Sequence, residues 1–122
     1  MADSVYLGLD IGTSGVKTIL VTSSGEVVAA TTTPLTLSTP RPGWAEQHPD
    51  DWWSATVQSI RGALAQRPDL GVAAVGISGQ MHSSVFLDRA GQVVRPALLW
   101  CDGRTTDECA EITRRAGGEG RL

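Results

Sequence analysis

The stretch Asp10-Ile11-Gly12-Thr13-Ser14-Gly15-Val16-Lys17 constrains this chain more than any other, because it sets a carboxylate and a glycine-bounded bend between two β-rich runs. Before it, Val5-Tyr6-Leu7-Gly8-Leu9-Asp10-Ile11 is short, apolar and rich in β-formers, the pattern of a buried strand. After it, residues 16–22 are again β-branched and return antiparallel to the first run. A carboxylate at the end of a buried strand is costly unless a cation or polar group awaits it. Glycine permits close backbone approach and positive φ, and successive N–H groups can converge on phosphate oxygens. On that view Gly12, Thr13, Ser14 and Gly15 cradle phosphates, Asp10 holds Mg²⁺, largely through water, and Lys17 reaches a phosphate as a point charge. The same residues also suit a plain hairpin whose turn is rich in Gly, Thr and Ser. They fit neither the Walker pattern nor GxGxxG.

Downstream, Ser23-Ser24-Gly25 makes a second tight connection, and residues 26–33 give a third strand that completes a meander. From Pro34 to Pro49 the pattern dissolves into Pro, Thr, Ser and Gly, a loop of the length at which function is expected. Pro49, Asp50 and Asp51 then suit the first turn of a helix whose apolar face carries Trp53, Val57, Ile60 and Leu64 and which ends at Arg67-Pro68-Asp69. Residues 72–78 are almost continuously apolar and predict a parallel strand buried on both faces. Val85-Phe86-Leu87 and residues 97–100 are shorter strand candidates. Thr105 with Glu108 reads as a capping box opening a last helix, stopped by Gly117-Gly118 before a loop-like tail. This order predicts an α/β domain with a mixed sheet.

The end of the apolar strand matters for chemistry, because ligand crevices in α/β folds lie beyond the carboxyl ends of strands. Gln80 and His82 can hydrogen-bond hydroxyls there, and Met81 can cover an apolar face of a small polyol. A lone histidine in such a place is also commonly a satisfied surface residue. Trp100 suits either a pocket wall or the core. Asp102 and Arg104 suit a surface ion pair, and Asp102 also has the capacity to accept from two sugar hydroxyls. Of the adjacent Trp52 and Trp53, one is expected to pack and the other to be partly exposed.

Composition removes several classes. A net charge of −3 disfavours sequence-independent nucleic-acid binding. No run approaches the length of a membrane span, and Met1-Ala2-Asp3-Ser4 lacks the basic start of a secretory signal, so a cytoplasmic protein is expected. Two cysteines, Cys101 and Cys109, make neither a zinc ribbon nor a disulfide framework and are expected to be free thiols.

Taken in order, four segments resemble one family. Asp10-Ile11-Gly12-Thr13-Ser14-Gly15-Val16-Lys17 is similar to the first phosphate-binding hairpin of the FGGY-type sugar kinases. Gly43-Trp44-Ala45-Glu46-Gln47-His48-Pro49 with Trp52-Trp53 is similar to that family's lead into its first helix. Gly76-Ile77-Ser78-Gly79-Gln80-Met81-His82 resembles the substrate strand and turn of its xylulose kinase branch, and residues 98–105 resemble the segment after it. The resemblance implies the ribonuclease H-like (actin-like ATPase) fold, ATP and Mg²⁺ as cofactors, and a ketopentose such as xylulose as substrate. It assigns Asp10 to the metal side and Gln80, Met81 and His82 to the sugar. The chain departs from the xylulose kinases at Ser83, where they usually carry glycine, and this bears on which sugar fits.

The resemblance also implies what residues 1–122 lack. The family's catalytic base is an aspartate in a later glycine-rich segment, and its adenosine site lies mostly in a second domain. The chain is therefore expected to be the N-terminal part of a larger kinase with an incomplete first domain. Alone it is expected to be inactive and self-associating, while the parent is expected to be a homodimer. A different class remains open: a non-catalytic actin-like module that binds a nucleotide phosphate or a protein partner. A ribonuclease H-like nuclease would need several carboxylates clustered about two metals, and Asp10 has no evident companion.

Overall fold

The computed structural model describes residues 4–121, so the N-terminal Met1-Ala2-Asp3 and the final Leu122 lie outside the described residues. The first three strands form the predicted meander: β1 (Ser4–Ile11), β2 (Gly15–Val21) and β3 (Val27–Pro34), each antiparallel to the one before. Helix α1 (Pro49–Gln66) then crosses the sheet, and β5 (Gly71–Gly79) enters parallel to β1. The order β3-β2-β1-β5 makes a mixed four-stranded sheet. A second sheet pairs only β4 (Glu46–Gln47) with β6 (Ala97–Leu98). Helix α2 (Thr106–Ala116) and a 3₁₀ turn (Glu119–Arg121) follow, the latter where the sequence suggests a plain loop.

Alternation along the strands decides what is buried. Val5, Leu7 and Leu9 of β1, Val16 and Leu20 of β2 and Ala29 of β3 face α1 and form the core with Ala55 and Ala63. Burying a Val or Leu in this way contributes about 1.5–3 kcal/mol relative to leaving it exposed. The helix meets the sheet through small residues, contrary to the face predicted for it. Ala55, Thr56, Ser59 and Ala63 are its buried positions, Ile60 and Leu64 flank them, and Trp53 lies outward at 72% exposure. The approach is close: a Cβ on Gly62 would come within 2.8 Å of Thr31 Cγ2. Ser59 Oγ donates to the Thr31 carbonyl at 3.0 Å, and Gln66 Nε2 donates to the Ala30 carbonyl at 2.9 Å, so the helix also protects the β3 edge.

Three further expectations need correction. All of β5 is exposed, because it sits at the sheet edge and α1 lies over β1, β2 and β3 instead; the apolar run marks faces left uncovered among the described residues. Residues 85–87 form no strand, only one isolated bridge, Leu87 with Val93, and the strand expected at 97–100 shortens to Ala97–Leu98. The capping box does not form. Thr105 does flank α2, but with φ −97° and ψ 16° its side chain makes no capping hydrogen bond; the stop at Gly117, in the left-handed region, is as expected.

The Pro-rich stretch before α1 becomes a strap. Leu99 N donates to Ala45 O at 3.0 Å and Gly103 N to Gly43 O at 2.7 Å, fastening residues 43–47 along residues 97–103. No helix is long and apolar enough to cross a membrane among the described residues.

Candidate functional site

The β1–β2 turn and the end of β5 meet at one edge of the sheet, because β1 and β5 run parallel in register. Asp10 lies beside Ser78 and Ile11 beside Gly79, and Gln80 N donates to Ile11 O at 3.0 Å. Both strands therefore deliver their C-terminal residues to the same place.

Gly12 N donates to Gly15 O at 3.0 Å and closes the turn. Neither glycine adopts the positive φ that the sequence suggested for it. Gly15 answers a close approach instead: a Cβ there would come within 2.8 Å of the Thr33 carbonyl oxygen, so β3 and not a ligand excludes a side chain. Ser14 is exposed at the tip of the hairpin, and Thr13 and Gly15 are half-buried.

Asp10 and Lys17 are cross-strand partners, and both are exposed. With Gly8, Ile19, Gly76 and Ser78 they line a concavity of about 500 Å³. Its floor is nearly bare backbone at Gly76, where a Cβ would meet nothing within 4 Å. Among the described residues the Asp10 carboxylate has no ion pair, and no cluster of three or more His, Cys, Asp or Glu surrounds it. A single free carboxylate fits Mg²⁺, which keeps most of its waters and is commonly held by one or two carboxylates and substrate phosphates.

On the other side of the turn, Gln80 accepts a 3.1 Å hydrogen bond from the Thr13 hydroxyl. Met81 is 70% exposed, and His82 is exposed with φ 61°, the one non-glycine residue with positive φ among those described. Histidine is among the residues enriched there, and such a conformation costs on the order of 1–3 kcal/mol. Trp100 is not a core residue. It is 58% exposed, its indole N–H donates to Thr13 Oγ1 at 3.1 Å, and its backbone N–H donates to Ser83 Oγ at 3.3 Å. The serine that departs from the family pattern thus supports Trp100.

Asp102 takes a structural position. Its Oδ2 accepts from Ala45 N at 2.7 Å and Arg104 Nη2 at 2.6 Å, and its Oδ1 accepts from Arg104 N and Nε. The Arg104 guanidinium, with these backbone donors, holds the carboxyl well below the usual carboxylate range despite burial, which opposes the shift. Arg104 also reaches Glu46 at 2.7 Å, Arg95 meets the same Glu46 oxygen at 2.8 Å, and the Trp44 ring lies 3.7 Å from the Arg104 guanidinium. The pair is therefore largely buried, with side chains 5% and 13% exposed, and not the surface pair expected. Asp102 has no oxygen free of these donors with which to receive sugar hydroxyls.

Sequence reasoning missed Gln47. It is 3% exposed, and it donates to the Thr13 carbonyl at 2.7 Å while accepting from Trp52 Nε1 at 2.8 Å. A glutamine in a Pro-rich loop carries no periodicity that betrays burial. Only its place inside the Gly43-Trp44-Ala45-Glu46-Gln47 motif marked it.

Residues 5–121 match the model of the FGGY family of carbohydrate kinases, N-terminal domain. The chain is 49% identical over 111 residues to the xylulose kinase of Escherichia coli (strain K12), a stretch that covers 91% of this chain and 23% of that protein. It is 50% identical over 105 residues to the xylulose kinase of Klebsiella pneumoniae, covering 86% and 22%. The crystal structure of xylulose kinase from Rhodospirillum rubrum superposes with a TM-score of 0.87 at 36% identity, over 93% of this chain and 24% of that one. The chain thus spans less than a quarter of the length of these relatives.

Proposed function

The chain belongs to the FGGY family of carbohydrate kinases, within the N-terminal domain, and from that premise we propose that it forms part of an enzyme that phosphorylates a ketopentose of the xylulose type. Its fold is the α/β, ribonuclease H-like (actin-like ATPase) type with a mixed sheet. The observation that carries the proposal is the 3.1 Å hydrogen bond from Thr13 to Gln80, which joins the glycine-bounded turn to the loop after β5 at one sheet edge. A phosphoryl donor and a polyol acceptor must lie that close for an in-line transfer.

Each residue then has a task. The N–H groups of Thr13 and Ser14 and the Ser14 hydroxyl receive phosphate oxygens, with Lys17 adding a positive charge beside them, while the Thr13 hydroxyl stays committed to Gln80. Asp10 is the group that would hold Mg²⁺, which supplies charge neutralisation on the transferring phosphate. Gln80 and His82 hydrogen-bond sugar hydroxyls, Met81 covers an apolar sugar face, and the Trp100 indole forms a wall. Asp102 drops out of the sugar set and keeps the strap in place. A base for the sugar hydroxyl is not among these residues, so the 122-residue chain alone is expected to bind without turnover.

Isothermal titration of D-xylulose into the chain tests this. Weak binding lost in His82→Ala is expected, and no phosphorylated product is expected with MgATP. Xylulose binding unchanged by His82→Ala would refute the sugar assignment. Product formation by the chain alone would refute the missing base. Failure to bind sugar, with a protein partner captured independently of His82 and Asp10, would favour the non-catalytic module.

A further inference from the structure

Three residues from three separate segments close a ring of hydrogen bonds at the site. Gln47 Nε2 donates to the Thr13 carbonyl at 2.7 Å, the Thr13 hydroxyl donates to Gln80 Oε1 at 3.1 Å, and Gln80 Nε2 donates to Gln47 Oε1 at 3.3 Å. Two indoles feed the ring: Trp52 Nε1 donates to Gln47 Oε1 at 2.8 Å and Trp100 Nε1 to Thr13 Oγ1 at 3.1 Å. These donors fix both amides. Flipping Gln47 would set its oxygen against the Thr13 carbonyl and its NH₂ against the Trp52 N–H.

Gln47 is saturated. Its second donor reaches Thr36 O at 3.4 Å, so two donors and two acceptor positions are all used, and the residue is 3% exposed. Gln80 differs, with one donor and one acceptor position used inside the ring and the others left for a ligand. Thr13 belongs to the turn assigned to phosphate, and Gln80 to the loop assigned to sugar.

We infer that Gln47 is a positioning residue that couples the two halves of the site, so that occupation of the phosphate turn changes the affinity for sugar at Gln80. The inference rests on the proposed function. Phosphate drawn to the turn displaces the Thr13 peptide. Gln47 grips that peptide and the Gln80 amide together, so the movement reaches the sugar side by turning the Gln80 donor and acceptor that a hydroxyl would meet. Such coupling is reciprocal, and typical values are about 5–150-fold in affinity.

The test measures D-xylulose affinity for the whole 122-residue chain with and without saturating MgATP, followed by the indole N–H resonances of Trp52 and Trp100. Wild type is expected to show a ratio of at least about fivefold. In Gln47→Met the ratio falls to one while each ligand still binds. Thr13→Val, which cuts the ring at a half-buried turn residue, also brings the ratio to one, whatever it does to phosphate affinity by itself, and Thr13→Ser, which keeps the hydroxyl, restores the wild-type ratio. Circular dichroism establishes that the variants fold, and if Gln47→Met does not, the Thr13 pair decides. Both affinities falling together with the ratio intact would mean a merely structural role and overturn the inference, as would a wild-type ratio of one. Absence of any xylulose binding by wild type is a separate outcome: it fails the proposed function itself and takes the coupling with it.

Discussion

At the scale of single residues, two positions near the hairpin carry opposite expectations. Thr18 is fully buried beneath α1, and its hydroxyl has no hydrogen-bond partner. Burying a hydroxyl without a partner is unfavourable, and valine has the same shape and suits a strand. Thr18→Val is therefore expected to raise stability by about 1 kcal/mol in urea melts. Gly15→Ala should do the reverse, because its Cβ would stand 2.8 Å from the Thr33 carbonyl and backbone gives way poorly. A loss of about 1–3 kcal/mol is expected, with the hairpin's amide resonances displaced. A stability unchanged from wild type would show that the strands can separate cheaply. What could be read from the sequence at this scale followed spacing. Asp10, Thr13 and Lys17 sit within eight residues, so one local motif exposed them. Gln47 and Gln80 are 33 positions apart, and only the folded sheet brings them together.

At the scale of elements, the meander and the parallel entry of β5 were legible because alternation and tight turns are local signals. The helix face was misread because tryptophan dominates any count of apolar residues, while close packing on β3 demands small ones: Ala55, Ser59, Ala63 and Gly62. The strap was read as irregular because its two-residue pairing with Ala97–Leu98 is too short to leave a pattern. Its stability has a pH signature. Asp102 sits below the usual carboxylate range in the folded chain, against about 3.9 when unfolded. A depressed carboxyl stabilises the fold above the unfolded value, and that contribution is lost as pH falls toward the folded one. Wild type should thus be more stable than Asp102→Asn near pH 6, and the gap should narrow progressively below about pH 4. Parallel urea melts at several pH values read this directly. A gap that stays constant or widens in acid would remove Asp102 as the source.

At the scale of the whole molecule, the sheet is protected unevenly. On the β3 edge, Ser59 and Gln66 bond to backbone carbonyls. The β5 edge carries Gly71-Val72-Ala73-Ala74-Val75-Gly76-Ile77-Ser78-Gly79, with no charge and no proline. Val75 and Ile77 are 56% and 71% exposed, although their partners on β1, Leu7 and Leu9, are buried beneath the helix. Phe86 and Leu87 add exposed apolar surface in the segment after β5. An uncharged edge with unpaired backbone groups and apolar flanks is a template for another strand. In the 122-residue chain by itself, a second copy meets that requirement, so sedimentation velocity should show concentration-dependent association. Val75→Lys places a charge on the exposed edge strand, where the helix does not reach, so it should shift the population toward monomer without loss of helix signal. A wild-type chain that sediments as a monomer throughout, with a cooperative melt of ordinary stability, would mean that the β5 edge protects itself by a means other than pairing.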